Sequence, residues 1–120
     1  MSYLALSRRA VLDLAEIERY SIEQWGKKVA ADYLDDIEAA LKRLKEAPGL
    51  LRARPELSEN LKFYRVGRHL LVCALEGESI YVLAVKHGAM DLPERLAELE
   101  PHLVQEAGVL HQAFLRSKRS

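Results

Sequence analysis

Four side chains that could take up a proton or stabilise a negative charge lie in one stretch of the sequence, between residues 61 and 91. Acid–base chemistry at a reacting group needs a proton acceptor, a cation that stabilises the developing negative charge and an acid for the leaving group. The groups available for these roles are Arg65, Arg68, Lys86 and His87. Neighbouring side chains on a strand point to opposite faces, so Lys86 and His87 cannot act in the same site.

Two histidines in this stretch have structural interpretations beside the functional ones. On a straight strand His87 shares a face with Tyr81, Leu83 and Val85. A histidine at the end of a buried strand is more often a hydrogen-bonded structural residue than a functional one. His69 follows a bend, where it is as well placed to orient the turn as to contact a partner. The sequence leaves both roles open for each ring.

The remaining reactive side chains predict no cofactor and no metal site. The lone cysteine, Cys73, lies among apolar residues, where a free thiol usually behaves as a small buried hydrophobe. His102 and His111 are too far in sequence from any cluster of carboxylates or thiols to form a metal-ligand pattern. Trp25 is expected to pack the helices against a sheet rather than to stack on a base.

The candidate side chains lie on or beside three predicted strands. Residues 70–75 and 80–85 are short runs that are apolar on both alternating faces, which is typical of buried strands, and residues 76–79 have the composition of a hairpin turn. Gly67 ends the preceding strand, over 61–66, where a bend or bulge would let that strand fold back on the next. We therefore expect an antiparallel meander as the core of the fold.

The chain before the meander predicts a strand over 3–6 and two helices that meet at Gly26. Ser7 is placed to cap the first helix, which runs to about Gln24. Because the break at Gly26 is so short, the two helices must lie side by side as a hairpin. Helical spacing predicts their apolar faces: Val11, Leu14, Ala15, Ile17 and Ile22 in the first helix, and Val29, Tyr33, Ile37, Leu41 and Leu44 in the second.

Residues 47–60 are predicted as a basic, solvated connector, and the end of the chain as two more helices. Asp91 and Glu94 have the spacing of a capping box and open a short helix, which Pro101 interrupts. Residues 116–120 are predicted as a frayed basic tail. The last helix has an apolar face that predicts a packing partner, either the chain's own sheet or a second copy: Leu103, Ala107, Leu110 and Phe114.

The predicted fold class is α+β, in the order β-α-α-β-β-β-α. Its antiparallel sheet consists of the three-stranded meander and the N-terminal strand. The N-terminal helical hairpin packs on one face of this sheet, and the C-terminal helix helps to cover the other face or an edge.

Length and composition bound the class of protein. A chain of 120 residues, 49% of them hydrophobic, is enough for one domain with a single core. Eighteen basic residues balance eighteen acidic ones, which disfavours direct nucleic-acid binding through the field of the whole molecule. No apolar run approaches the roughly 20 residues of a membrane span, and the N-terminus lacks the pattern of a signal peptide, so we expect a cytoplasmic protein.

The order of the elements and the residues on them resemble the ParE branch of the RelE/ParE toxin superfamily. The resemblance covers about residues 3–103, so we interpret 1–103 as the toxin domain and 104–120 as a C-terminal helical extension and basic tail of the same domain. The resemblance is carried by Leu4-x-Leu6-Ser7, Asp13-Leu14-x-x-Ile17, Tyr20, Trp25-Gly26, Tyr33, Val66-Gly67-Arg68-His69-Leu70 and Val85-x-His87-x-x-Met90-Asp91.

The resemblance implies the toxin of a bacterial type II toxin–antitoxin pair. ParE-like toxins inhibit DNA gyrase and block replication, whereas RelE-like relatives cut messenger RNA on the ribosome. A cognate antitoxin, ParD-like or similar, silences either kind. The leading hypothesis is a gyrase inhibitor with no catalysis of its own, and a homo-oligomer through the C-terminal helix is a further option. The candidate target-binding side chains are Arg65, Arg68, His69, Tyr81, Lys86 and His87.

Two alternative functions remain open. A ribosome-dependent endoribonuclease would use Arg65, Arg68 and His87. Catalysis is disfavoured because no tyrosine follows Tyr81, whereas RelE-like toxins have a tyrosine after the last strand together with several basic residues. The other alternative is a non-toxic module kept only as an antitoxin partner. The neutral net charge and the residues after about Val104 depart from the usual pattern of the superfamily.

Overall fold

Five strands form one sheet, and helices cover both of its faces. The computed structural model describes residues 2–88 and 92–119. Met90 and Asp91, which the family motif and the predicted helix cap use, lie outside the described residues. In chain order the elements are β1 (Leu4–Leu6), α1 (Arg8–Trp25), α2 (Lys27–Glu46), a 3-10 turn (Pro48–Leu50), β2 (Arg52–Arg54), β3 (Ser58–Val66), β4 (His69–Glu76), β5 (Ser79–His87) and α3 (Leu92–Arg119).

The α+β class and the central meander are confirmed, and the two sheet edges differ from the prediction. The strand order is β1-β5-β4-β3-β2, with β3, β4 and β5 pairing as an antiparallel meander. β1 lies parallel to β5, with Leu4 opposite Ile80, so the sheet is mixed. Parallel pairing becomes accessible because the two helices and the meander form a long connection between these strands. β2 lies inside the predicted connector 47–60 and pairs with β3 as a fifth strand.

Each face of the sheet has its own hydrophobic cluster. On the side covered by α1 and α2, the hairpin face, the cluster includes Ala10, Ile17, Ile37, Ala40, Leu44, Leu71, Val82 and Val85. On the side covered by α3, the α3 face, it includes Phe63, Leu70, Val72, Tyr81, Leu83, Leu92, Leu96, Leu103 and Ala107.

A bulge in β5 changes which of its side chains share a face. Relative to β4, strand β5 carries one extra residue, Leu83, at the point where the register shifts. Tyr81 and Leu83 therefore belong to the cluster on the α3 face, whereas Val85 belongs to the cluster on the hairpin face. The expectation that all three share a face with His87 is wrong, because it assumed a straight strand.

Helix α1 is capped as predicted but is rotated about its axis. The Ser7 hydroxyl accepts a hydrogen bond from the Ala10 backbone N–H over 3.1 Å. The buried positions are Ala10, Ile17 and Ser21, whereas Val11, predicted to be buried, is 52% exposed. Hydrophobic spacing therefore indicated a helix correctly, but the small side chains at positions 10 and 21 set the face that approaches the sheet.

The helical hairpin turns at Gly26, which has a φ of +87° that favours glycine. Its backbone N–H donates to the Ile22 carbonyl over 2.9 Å and so caps the end of α1. Beside the turn, Ile22 and Val29 are exposed, contrary to prediction. Further along α2 the predicted Ile37 and Leu44 are buried, but in the first turn Ala30 is buried instead of Val29.

Helix α3 runs through Pro101 without a break, contrary to the two helices predicted. Leu96 and Leu103, on either side of the proline, are both fully buried against the sheet. Their burial stabilises one continuous helix by several kcal/mol, which offsets the roughly 3 kcal/mol cost of an interior proline. The predicted apolar face packs on the chain's own sheet, and the helix extends to Arg119 instead of fraying after residue 115.

No helix in the described part of the chain combines the length and the apolar character that a membrane span requires.

Candidate functional site

A groove of about 870 Å³ separates the helical hairpin from the tip of the β3–β4 hairpin and the end of β5. One wall consists of α1 and α2 side chains, and the other wall comes from the sheet and the first turn of α3. The lining residues are Glu16, Ile17, Tyr20, Ser21, Trp25, Val29, Tyr33, Gly67, Arg68, His69, His87 and Arg95. The groove therefore brings together three of the six predicted contact residues: Arg68, His69 and His87.

The tip of the β3–β4 hairpin is held by a side chain from α2. The Tyr33 hydroxyl accepts a hydrogen bond from the Arg68 backbone N–H over 3.2 Å. The same hydroxyl lies 3.2 Å from the Val66 carbonyl oxygen and 2.6 Å from Nδ1 of His69. A phenol has one proton, so if the hydroxyl donates to Val66, His69 must donate from Nδ1 to the hydroxyl. Tyr33 thus contacts both ends of the turn.

Gly67 fits this arrangement in two ways. Its φ is +56°, in the left-handed region that favours glycine. A Cβ atom at this position would lie 2.7 Å from Cε1 of Tyr33, closer than carbon atoms approach one another. The tyrosine ring therefore lies directly against the turn, where any larger residue would displace it.

His69 and His87 lie opposite each other on β4 and β5, at the floor of the groove. Their ring centroids are 5.4 Å apart, in an edge-to-face arrangement. Burial first, and then the proximity of His87, lowers the pKa of His69 to about 4. His69 is therefore neutral at pH 7, which suits a hydrogen-bonded residue that orients the turn.

Arg68 extends from the turn across the groove to the aromatic side chains of α1. Its guanidinium carbon lies 5.7 Å from the centre of the Trp25 ring, at cation–π distance. Trp25 contacts Tyr20 edge to face, with 5.9 Å between the ring centroids. Trp25 is 49% exposed, so the expectation that it packs the helices against the sheet is wrong. It forms part of an aromatic platform at the rim of the groove.

Arg65 and Lys86 lie away from the two histidines. Arg65 on β3 and Lys86 on β5 both lie opposite Leu70 of β4. Leu70 belongs to the cluster on the α3 face, so both side chains lie on that face of the sheet. Nε of Arg65 donates to the Gly67 carbonyl over 3.1 Å. Lys86 lies 3.7 Å from the carboxylate of Asp13, which also accepts the Val85 backbone N–H. Asp13 thus links α1 to the end of β5.

Tyr81 is fully buried on the α3 face and does not line the groove. Its hydroxyl lies 2.8 Å from Nδ1 of His111 in α3. Burial raises the pKa of this phenol. Burial also raises the pKa of the Cys73 thiol, which is fully buried as well, to about 12. Among residues 2–88 and 92–119, no group of three or more His, Cys, Asp or Glu side chains is arranged to hold a metal ion.

Comparison with known proteins identifies the family. A model of the ParE toxin of the type II toxin-antitoxin system parDE matches residues 4–92, which is most of the chain. The chain belongs to the ParE toxin family. The resemblance inferred from the sequence motifs is therefore confirmed.

Three ParE relatives show how much of the chain is shared. Toxin ParE of Escherichia coli is 32% identical over 99 residues, covering 82% of this chain and 96% of the relative. Toxin ParE1 of Caulobacter vibrioides is 31% identical over 86 residues, covering 72% and 88%. Toxin ParE1 of Mycobacterium tuberculosis is 32% identical over 92 residues, covering 76% and 94%.

A solved structure described as a chromosomal ParDE TA system from P. aeruginosa has the same fold. The TM-score is 0.63 at 20% sequence identity, over 72% of this chain and 96% of that chain. The family match ends at residue 92, at the start of α3. Most of α3 therefore lies beyond the part of the chain that matches the ParE model.

Sequence reasoning missed the α1 and α2 contributions to the groove, chiefly Tyr20, Trp25 and Tyr33. Tyr33 was placed on the apolar stripe of α2, and its hydroxyl gave no sign of which turn it would contact. A signal existed for Trp25, because an aromatic residue directly before a helix-ending glycine lies at the end of the helix. Arg95, at the beginning of α3, carried no pattern that pointed to the groove.

Proposed function

We propose that the chain is the toxin of a type II toxin–antitoxin pair, that it inhibits DNA gyrase by protein contact, and that a cognate antitoxin neutralises it. Gyrase inhibition is the activity that the sequence resemblance implies. Membership of the ParE family over residues 4–92 is the observation that carries this proposal. The partner antitoxin is supported by the P. aeruginosa relative in fold, which is described as a ParDE system.

The positions of the candidate nuclease residues support inhibition without catalysis. Arg65 lies on the α3 face and donates to a turn carbonyl, whereas His87 lies in the groove on the hairpin face. General acid–base catalysis requires its groups within hydrogen-bond reach of one reacting centre. The predicted set of Arg65, Arg68 and His87 is thus divided between two faces of the sheet.

The groove is the surface that we assign to the target. Its rim presents Trp25 and Tyr20, with 49% and 54% of their surfaces exposed, next to the cation of Arg68. Tryptophan, tyrosine and arginine are the residues most enriched among those that dominate the binding energy of protein interfaces. Of the predicted contact residues, we therefore retain Arg68, His69 and His87 and add the two aromatic side chains.

The direct test is supercoiling of relaxed plasmid by purified gyrase in the presence of the purified chain. We expect inhibition by the wild type, and at least tenfold weaker inhibition by the double variant Trp25→Ala and Arg68→Ala. The matched control is Leu12→Ala together with Arg116→Ala, which also removes an exposed apolar side chain and an exposed arginine. Wild-type protein that leaves supercoiling unchanged would reject gyrase as the target.

In cells the same proposal predicts an order of events. Induction should stop DNA synthesis and trigger the DNA-damage response before translation declines, and co-expression of the cognate antitoxin should prevent both effects. Unimpaired growth at high expression would instead support a module that has kept antitoxin binding and lost toxicity.

A ribosome-dependent endoribonuclease remains the second candidate because the groove holds two histidines and an arginine. His69 and His87 lie within 5.4 Å of each other, measured between ring centroids, and Arg68 lines the same groove. This hypothesis predicts early loss of translation with cleaved messages, and replacing His69 and His87 together should abolish both effects. Full toxicity in that double variant, with its fold intact, would exclude the nuclease.

A further inference from the structure

One side chain of α2, Tyr33, links the helical hairpin to the turn that carries Arg68. Its hydroxyl oxygen accepts the backbone N–H of Arg68 over 3.2 Å and lies 2.6 Å from Nδ1 of the next residue, His69. These contacts span 35 and 36 positions in sequence, so they fix the turn relative to α2 rather than only within the sheet.

The turn is shaped to receive this ring. Gly67 has a φ of +56°, and a Cβ on it would lie 2.7 Å from Cε1 and 2.9 Å from the hydroxyl oxygen of Tyr33. The position therefore requires glycine both for its backbone conformation and for the approach of the ring. The turn alone would require glycine only for its positive φ. The additional close approach of the Tyr33 ring indicates that the ring and the turn pack as one unit.

Arg68 is part of this turn, and its side chain extends to the aromatic platform formed by Trp25 and Tyr20. Its guanidinium lies 5.7 Å from the Trp25 ring centre, while its backbone N–H is bonded to Tyr33. Arginine has high rotamer entropy, and an interface that immobilises it on binding pays that cost in affinity. A cation already held on an exposed indole avoids part of this cost.

We propose that Tyr33 is a positioning residue of the toxin, which holds the turn so that Arg68 is presented on Trp25 as a preformed contact for the protein that the toxin inhibits. The inference rests on the proposed toxin function and does not depend on which protein is the target. Tyr33 lines the groove behind the platform and acts on the partner through Arg68 and His69.

The test is Tyr33→Phe, which keeps the ring and removes the hydroxyl. We expect hydrogen exchange of the Arg68 amide to accelerate at least tenfold, because that N–H loses its acceptor. Trp25 is the single tryptophan of the chain, so its fluorescence reports the same event as a change in emission. Growth arrest should require at least tenfold more of the variant than of the wild type.

The matched control is Tyr81→Phe, which also removes a hydroxyl that contacts a histidine Nδ1, over 2.8 Å on the α3 face. It should leave the Arg68 amide, the Trp25 emission and the growth arrest unchanged. A second variant, Gly67→Ala, displaces the same ring from the other side. It should reproduce the faster exchange of the Arg68 amide and the loss of growth arrest, and to a greater extent than Tyr33→Phe, because alanine is also strained at a φ of +56°.

Two results would overturn the proposal. One is growth arrest by Tyr33→Phe at wild-type levels. The other is equal loss of toxicity in Tyr33→Phe and Tyr81→Phe, which would indicate that general stability is responsible. If the wild type arrests growth but leaves gyrase unaffected, the gyrase proposal fails, and the role of Tyr33 is decided by the growth and exchange measurements alone.

Discussion

The two faces of the sheet differ in how completely their helices cover them. On the α3 face, Tyr81, Leu83, Leu96 and Leu103 are fully buried under a single helix. On the hairpin face, a groove remains between the helices and the turn of β3 and β4, with Trp25 half exposed at its rim. We propose that this difference reflects a division of tasks, in which the α3 face contributes stability and the hairpin face offers a surface to a partner.

The α3 face is completed by residues that lie beyond the family match. Phe114 stacks on Tyr3 with ring centroids 4.2 Å apart, and His111 contacts the Tyr81 hydroxyl. Arg9 and Glu106 form an ion pair of 2.9 Å between α1 and α3, which raises the pKa of the guanidinium. The second half of α3 thus attaches to Tyr3, just before the first strand, to the first helix and to the last strand.

On the hairpin face the polar contacts organise a surface and leave it open. Tyr33, His69 and Arg68 are linked by hydrogen bonds around one turn, and Arg68 continues to Trp25. Most of the stabilisation on this face comes from buried residues further along the hairpin, such as Ile37 and Leu44. The exposed side chains at the rim of the groove, such as Tyr20 and Trp25, can therefore be changed with less effect on folding than those under α3.

Truncation after Val104 should have the largest effect on this comparison. It removes Ala107, Leu110 and Phe114, whose burial at about 1–2 kcal/mol each predicts a loss on the order of 4 kcal/mol in the free energy of unfolding. Urea denaturation would measure this loss of stability, and size-exclusion chromatography would show whether the oligomeric state changes. An unchanged melting temperature and an unchanged oligomeric state would remove the idea that this stripe packs on anything.

A single truncation in the α3 core, Leu103→Ala, should cost about 3 kcal/mol, because the side chain is fully buried and its removal leaves a cavity. Val104→Ala is the neighbouring control. Val104 is 42% exposed, so its truncation should change stability by less than about 0.5 kcal/mol. Equal costs for the two variants would mean that α3 does not lie on the sheet as described.

Local patterns were sufficient to predict most of the framework. The apolar runs of β4 and β5 predicted buried strands, Ser7 predicted a helix cap, and Gly26 predicted the turn between α1 and α2. Each of these depends on residues within a few positions of one another. The family follows from the order of such local features, so the sequence alone is enough to indicate it.

The errors arose where distant residues decide the outcome. The parallel pairing of β1 with β5 and the bulge at Leu83 depend on how strands meet across the fold. Burial of Leu96 and Leu103 outweighed the break expected at Pro101. The expectation that Trp25 packs the helices against the sheet is wrong for the same reason. Its exposure depends on the rotation of α1, which periodicity does not determine to within one residue.

Acid should weaken the hairpin face through His69. Its pKa is about 4 in the fold against about 6.5 in an unfolded chain, so the unfolded chain binds more protons between these values. Stability is therefore lost as the pH falls from about 6.5 to about 4. The ring is partly exposed, so after solvent screening the loss is on the order of 1 kcal/mol.

Denaturant melts at pH 7 and pH 4.5 would measure this loss as the difference between wild type and His69→Gln. The exposed His102→Gln is the control, and its pH dependence should match that of the wild type. If His69→Gln loses as much stability in acid as the wild type does, His69 is not the titrating group.

Trp25→Ala should have only a small effect on folding, although this change removes the largest side chain of the groove. The indole is 49% exposed, and its main contacts are the edge of Tyr20 and the cation of Arg68. An exposed cation–π contact contributes about 0.5–1 kcal/mol. Together with the Tyr20 contact, we therefore expect Trp25→Ala to lose about 1 kcal/mol of stability, well below the cost of Leu103→Ala, while it weakens growth arrest at least tenfold. Urea melts and induction assays on the same two variants would compare the faces directly. A Trp25→Ala protein as unstable as Leu103→Ala would mean that the rim of the groove is part of the core, and the division of tasks between the faces would fail.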